Sequence, residues 1–377
     1  AIIPRLQAGI KGLYQSYKRN ASPIAKAFRF RTLLDPGSKL MQLEGKEDLA
    51  VQLPYLNPEK GKKLVNFVGY LRLSSPLSLQ ALTSCLKNEV KDVRIRAAAA
   101  LGYIGEKAAT KEVLQALTSC LKHEDSWVGY HAARALGKLG EKAATKEVVE
   151  ALTSCLKDEN EDVRWNAAKA LVKLREKAAT PAVLEAVTSC LEDEDYEVRE
   201  SAAEALGHIG VKKATLEVVE ALTSCLKDED LTVRKSAVEA LGELGEKAAT
   251  KETLEGITCC LKDEDWTVRK SAVEALGKIG EKAATKELVE ALIICLKDKD
   301  WHVRQSAAEA LGKMGEKAAT KEVLEALTSC FKDEDVSVHR SAAEALGKMG
   351  EKAATKEVLE ALTSCLKHED VSVHRSA

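Results

Sequence analysis

The sequence predicts an all-α protein, a solenoid of repeated helix pairs, and three observations carry that prediction. From Pro76 onward one unit of the form TKEVLEALTSCLKDEDxxVRxSAAEALGKIG-EKAA recurs every 35 residues. Each copy holds two apolar stripes at helical spacing, separated by a polar turn. Ala, Leu, Val, Glu and Lys dominate while aromatic residues make up only 4%, a composition that favours helices over strands. A chain of 377 residues could hold two or three ordinary domains. A repeat of this period instead makes residues 76–377 one elongated body of eight full units and a truncated ninth.

Residues 1–75 lie outside the repeat. Helical pieces are expected over about 5–19, 22–34 and 58–73, interrupted by Ser22-Pro23, Asp35-Pro36-Gly37 and Asn57-Pro58. They read as a capping or connecting region over the apolar face of the first repeat. The formal net charge of −2 hides an asymmetry, because these residues carry 13 Lys and Arg against 5 Asp and Glu. The first 34 residues have seven basic side chains and no acidic one, superficially like an organellar transit peptide. The chain starts at Ala1 and stops inside a repeat, so it is read as part of a longer protein and the basic stretch as internal. The remainder is acidic, which argues against a general nucleic-acid grip along the solenoid. No run of 18 apolar residues occurs, and no membrane span is expected.

In the second copy the first helix is expected from about Lys111 to Lys122. Val113, Leu114, Leu117, Cys120 and Leu121 form its apolar stripe, Thr110 is its N-cap, and Glu112 complements the helix dipole. The second helix follows Asp125, another N-cap, with Val128, Ala132, Ala135, Leu136 and Leu139 on one face. Gly140 is expected to end it as a left-handed C-cap, with EKAA as the link onward. Alanines on the second helix allow close approach of neighbours, and one pair alone cannot bury its apolar face, so stacking is obligatory.

Nine of the ten cysteines, Cys85 to Cys365, share the 35-residue period. Equivalent positions in stacked helices lie about 8–10 Å apart, whereas a disulfide needs Cα atoms within about 7 Å. They read as small buried hydrophobes in a reducing, cytoplasmic setting.

The KDED-xx-VR turn followed by SAAEALGKIG resembles the HEAT repeat, in the short form named after the phycobilisome lyases, across residues 76–377. The resemblance implies a right-handed α-α superhelix of the HEAT/ARM-like kind. It also implies a ladder between repeats made by the Asp before each second helix and the Arg after its Val. The matching positions are Asp158 with Arg164, Asp193 with Arg199, Asp228 with Arg234, Asp263 with Arg269, and Asp298 with Arg304. The ladder is expected to weaken at His123 and Gly129, and towards the C-terminus at His339, His368 and His374. The near identity of the copies is also similar to HEAT arrays in large invertebrate NACHT-type signalling proteins, although no GxxxxGK[ST] motif occurs.

Copy-to-copy variation separates scaffold from candidate site. Counting from the residue after the second-helix cap, the first, second and fifth positions vary most. Six of the eight aromatic residues after residue 75 stand there, including all four tryptophans. The resemblance puts second helices on the concave, partner-binding side. The candidate contacts are Trp127, Tyr130, Trp165, Tyr196, Leu231, Trp266, Lys270, Trp301 and Gln305, the competing role being packing of the first turn on the preceding loop. His131 and His208 read as solvated residues of the second helix's outer face.

Three other functions follow from relatives with the same repeats. Deoxyhypusine hydroxylase takes its di-iron ligands from His-Glu pairs inside second helices, where this chain has Lys235-Ser236, Lys270-Ser271, Gln305-Ser306 and Arg340-Ser341. The His123-Glu124 and His368-Glu369 pairs stand seven repeats apart and cannot share a metal. A bilin lyase needs a pocket that a distributed row does not make, and Cys259-Cys260 reads as a Ser-to-Cys change in the TSC motif. For a nucleic-acid-binding solenoid, Lys235, Lys270, Arg340 and Arg375 are opposed by Glu200 and the column Glu204, Glu239, Glu274 and Glu309. The expectation is therefore a non-catalytic scaffold for another protein, without cofactor or metal. Uncapped apolar ends leave end-to-end self-association open.

Overall fold

From the second repeat on, threonine heads each first helix and Asp or Asn heads each second helix, and all but Thr215 act as caps. Their side chains accept the otherwise orphaned amides of the first turn. Thr110 caps the amide of Val113, Asp125 that of Trp127, and Asn160 that of Val163. The computed structural model describes residue 74 and residues 76–366 other than 212. The helices expected over 5–19, 22–34 and 58–73, and the ninth repeat's second helix with His368 and His374, lie outside the described residues.

The described part is a tandem of helix pairs with no strand. The first four pairs are α1 (Pro76–Cys85) with α2 (Lys91–Ile104), α3 (Lys111–Leu121) with α4 (Ser126–Leu139), α5 (Lys146–Cys155) with α6 (Glu161–Leu174), and α7 (Pro181–Ser189) with α8 (Tyr196–Gly210). The next four are α9 (Leu216–Ser224) with α10 (Leu231–Leu244), α11 (Lys251–Cys260) with α12 (Trp266–Ile279), α13 (Lys286–Cys295) with α14 (Trp301–Met314), and α15 (Lys321–Ser329) with α16 (Val336–Lys348). The last first helix is α17 (Lys356–Leu366). Each pair stacks on the next, and one continuous core of Leu, Val, Ala and Cys runs the length of the stack. Fully buried leucines such as Leu136, Leu171 and Leu241 each stabilise it by about 1.5–3 kcal/mol.

The second helices come closest together. A glycine on one faces an alanine on the next, and a Cβ built on Gly242 would lie 2.9 Å from Ala275 Cα. The same clash recurs between Gly207 and Ala240 and between Gly312 and Ala345, each at 2.8 Å. Only a residue without a side chain permits that backbone approach. The second helices thus form the more closely spaced layer of the stack.

The connection after each second helix differs from the expected C-cap. Gly140 has the positive φ (63°), but its ψ is −154° rather than left-handed helical, and the chain turns on through a 3-10 helix over Gly140–Ala143. Most of the EKAA segment thus belongs to a turn of 3-10 helix whose Ala143 enters the core, with Ala144 just beyond it.

The ladder is built with a division of labour that spacing alone did not show. Arg164 gives Nη1 to the backbone carbonyls of Asp158 and Glu159 in its own repeat. Its Nε and Nη2 pair with the carboxylate of Asp193 in the next repeat, at 2.7 and 2.8 Å. Arg199–Asp228, Arg234–Asp263, Arg269–Asp298 and Arg304–Asp333 repeat this fork at 2.7–3.2 Å. Burial alone would raise the Asp298 carboxyl, but hydrogen bonds from Arg269 and from the Asp300 amide outweigh it and hold the group below its ordinary range. The Cys column lies buried beside the ladder. Desolvation pushes the thiols up, Cys155 to about 11 and Cys260 to about 12, and the described cysteines are all unpaired with one another.

Candidate partner-binding surface

Each second helix is covered by its own first helix and by second helices before and after it. One face remains free. Positions five, nine and thirteen, one helical turn apart, form that exposed or half-buried stripe. On α12 it reads Lys270, Glu274 and Lys278; on α4, Tyr130, Arg134 and Lys138; on α6, Trp165, Lys169 and Lys173.

The aromatic candidates do not form one continuous row. At the head of their helices Trp127, Tyr196, Leu231 and Trp266 are 51%, 44%, 41% and 37% exposed. Trp127 and Tyr130 sit together, ring centroids 5.5 Å apart, with His131 4.8 Å from Tyr130. A second cluster joins two repeats: His302 stacks on Trp301 at 3.6 Å and on Trp266 at 4.8 Å, while its Nδ1 lies 3.0 Å from Asp300. Trp165 and Trp301 are partly buried against the core. The indole N–H of Trp165 is buried without an acceptor. Such a group costs about 1–3 kcal/mol, so packing alone does not favour tryptophan at that position.

Two polar candidates are already engaged within the chain. Lys270 Nζ lies 3.3 Å from Glu274, and Gln305 Nε2 donates to Glu309 at 2.9 Å. His131 departs from the solvated position expected for it. It is half-buried, and burial, with Arg134 and Lys138 adding positive charge, lowers it to about 4, so the ring is neutral at physiological pH. His208, by contrast, is exposed as expected.

The variable positions read from the sequence omit four basic side chains on the same free face: Arg134, Lys138, Lys169 and Lys173. Their sequence signal is a broken column. Glu204, Glu239, Glu274 and Glu309 fill position nine in later repeats, where the second and third have Arg134 and Lys169. In later repeats that glutamate also accepts a hydrogen bond from the following helix: Ser271 donates to Glu239 at 2.9 Å and Ser341 to Glu309 at 3.1 Å. Ser201, which follows Lys169, is buried and without a partner. Lys138 Nζ stands 4.3 Å from the centre of the Tyr103 ring, and Lys169 Nζ 4.2 Å from that of Trp165.

Among the described residues no three of His, Cys, Asp and Glu converge in a way that would hold a metal ion. No described helix is long and apolar enough to cross a membrane.

Comparison with known proteins agrees with this architecture. A family model described as HEAT repeats matches residues 79–146, 139–190, 184–258, 257–329 and 289–377. The crystal structure of an engineered protein is similar, with 25% identity and a TM-score of 0.57 over 87% of this chain and 96% of its own. A chain from the complex in which Kap95p binds RanGDP has 18% identity and a TM-score of 0.61. That likeness, over 86% of this chain and 47% of the other, is one of fold. No curated protein matches the sequence.

Proposed function

The chain belongs to the HEAT-repeat family, and from that membership we propose that it is a protein-interaction scaffold whose partner lies along the free face of the second helices. The observation that carries this reading is the placing of large aromatic side chains on that layer. Trp127, more than half exposed, stands beside Tyr130 on a helix whose other faces are packed. Trp and Tyr supply much of the energy of protein interfaces, because they bury a large area while losing few rotamers. Kap95p, which shares the fold, is itself a protein that binds another. The free face is a shallow stripe distributed over many repeats, which suits binding better than chemistry, and the column of buried thiols suits a reducing compartment such as the cytoplasm.

The test is an affinity capture from native lysate with the whole chain and its Trp127→Ala/Tyr130→Ala variant. A protein held by the wild type and lost by the variant, a drop of roughly 30-fold or more in affinity, is the expected result. Helicity and melting temperature should stay nearly unchanged, since both rings stand on the free side. Undiminished capture, or a large loss of stability, would return these rings to a packing role. Trp165→Phe, which keeps the packed ring and removes the orphaned N–H, separates packing from recognition at the third aromatic.

A further inference from the structure

The free stripe changes character along the stack. From the fourth repeat onward every second helix carries at least one glutamate on the stripe, and in the fifth and sixth Lys235 pairs with Glu239, Lys270 with Glu274, and Lys278 with Glu243 at 2.7 Å. In the second and third repeats the stripe has no carboxylate of its own, the nearest acidic influence being that of Glu200 on the following helix, which feels Lys169. Arg134, Lys138, Lys169 and Lys173 have no carboxylate within ion-pair distance among the described residues, and two of them rest on aromatic rings instead. The surplus charge is felt nearby. Burial and the neighbouring Arg134 both lower Lys138, and the same two cations help to keep His131 neutral.

We propose that α4 and α6 form a docking site for a short acidic peptide segment, its carboxylates on Arg134, Lys138, Lys169 and Lys173 and an apolar side chain between Tyr130 and Trp165. The proposal rests on the scaffold reading and adds the place and the chemistry of the partner. Both ingredients are present on one small surface: four cations outside any ion pair for charge complementarity, and half-buried aromatic rings for a central anchor. The size fits a peptide. Position five to position thirteen spans about 12 Å along a helix and the two helices stand about 8–10 Å apart. An extended peptide advances about 3.3 Å per residue, so about five residues cross the patch along its diagonal.

The boundaries favour a peptide over a nucleic-acid strand. A strand is held along an extended groove of one charge sign. Here the preceding helix offers Ile95, Ala99 and Tyr103, and the following one Glu200 and Glu204, so the sign reverses within one repeat. The chain's own residues 1–75 carry 13 basic against 5 acidic side chains, a charge balance opposite to that of the proposed occupant.

The deciding experiment is fluorescence anisotropy on the whole chain with a labelled octapeptide of six acidic residues around one Phe and one Leu. A peptide with Lys at every acidic position and an eight-thymidine single strand serve as comparisons. Saturable binding of the acidic peptide that weakens between about 0.05 M and about 0.3 M salt is expected. Lys138→Glu with Lys169→Glu should weaken it at least tenfold, and the neutral pair Lys138→Gln with Lys169→Gln by several-fold, with helicity retained. Lys270→Glu with Lys278→Glu, where the lysines are already paired, should change it less than twofold. No saturable binding, equal weakening by both lysine pairs, or tighter binding of the thymidine strand would overturn the site. A lysate partner lost with Trp127→Ala/Tyr130→Ala but kept by the charge-reversed protein would also overturn it, while leaving the scaffold reading standing.

Discussion

The first three repeats and the five that follow use the same helix pair, yet they treat polar groups differently. From Arg164 onward each junction carries a complete fork, arginine to the next aspartate, up to Arg304–Asp333. The first junction has His123 where the aspartate should stand, and Arg94 is left with a buried Nε lacking an acceptor. A more exposed pair, Lys91–Asp125 at 2.7 Å, bridges that junction instead. The second junction has Gly129 in place of the arginine, and the Asp158 side chain accepts only from the amide of Asn160. The three orphaned buried side-chain atoms among the described residues, on Arg94, Trp165 and Ser201, all fall in the first four repeats. The two basic stripes that carry no carboxylate of their own stand in the same stretch. Repetition thus satisfies polar groups through the ladder and through the glutamate at position nine, and the unsatisfied groups follow departures from one or the other: Arg94 faces His123 instead of aspartate, and Ser201 follows Lys169 instead of glutamate.

The largest test of this contrast compares one arginine from each region. Arg269→Ala removes two bonds to the buried Asp298 carboxylate and two to backbone carbonyls. Truncating one partner of a buried pair strands the other, and a loss of about 3 kcal/mol in urea-unfolding free energy is expected. Arg94→Ala removes only the bonds to the carbonyls of Asn88 and Glu89 and abolishes an orphaned donor, so its loss should be about 1 kcal/mol or less. Equal losses would show that the aspartate fork adds nothing to the junction.

The reverse experiment repairs the first junction. In His123→Asp the carboxylate can accept from Arg94 Nε and Nη2, as Asp193 does from Arg164. It keeps the turn bond that the Asp125 amide now donates to His123 Nδ1, because Asp158 accepts the equivalent bond from the Asn160 amide. A gain of about 1–2 kcal/mol is expected, the net worth of a hydrogen-bonded charged pair. If the urea midpoint does not rise, the N-terminal junction is held by something other than the ladder, with Lys91–Asp125 the first candidate.

Much of this was legible in the sequence. Helix pairs, their caps at Thr110 and Asp125 and the buried faces follow from a period that repeats, because every copy votes for the same pattern. The weak ladder positions were legible too, since His123 and Gly129 stand out against the other copies. Three things were not. The partner of each arginine depends on how one repeat sits on the next, which spacing within a copy does not specify. The free face depends on which sides of the second helix neighbours cover. Periodicity marked Tyr130 and Trp165 but could not show that Arg134 and Lys169 share their stripe unpaired. His131 looked solvated because its polarity suggested so, yet Trp127 and Tyr130 fold over it.

The smallest expected effect concerns backbone rather than side chain, and it too separates the regions. Six glycines that follow second helices have φ between 59° and 71°, and at the third repeat Arg175 takes the same conformation with φ 56° and ψ −147°. That region suits glycine alone, and a side chain there costs about 1–3 kcal/mol. Arg175→Gly should therefore stabilise the chain, less the extra unfolded-state entropy of glycine, for a net gain of about 1 kcal/mol. The side chain it removes contributes little, being largely exposed with its Nε 3.7 Å from Glu141. The counterpart is Gly280→Ala. A Cβ there meets nothing within 4 Å, so any loss of stability reports the positive φ by itself. If Gly280→Ala lowers the urea midpoint and Arg175→Gly raises it by a similar amount, the third repeat holds backbone strain that its neighbours avoid. If Arg175→Gly lowers the midpoint instead, the arginine and Glu141 stabilise that turn by more than its conformation costs.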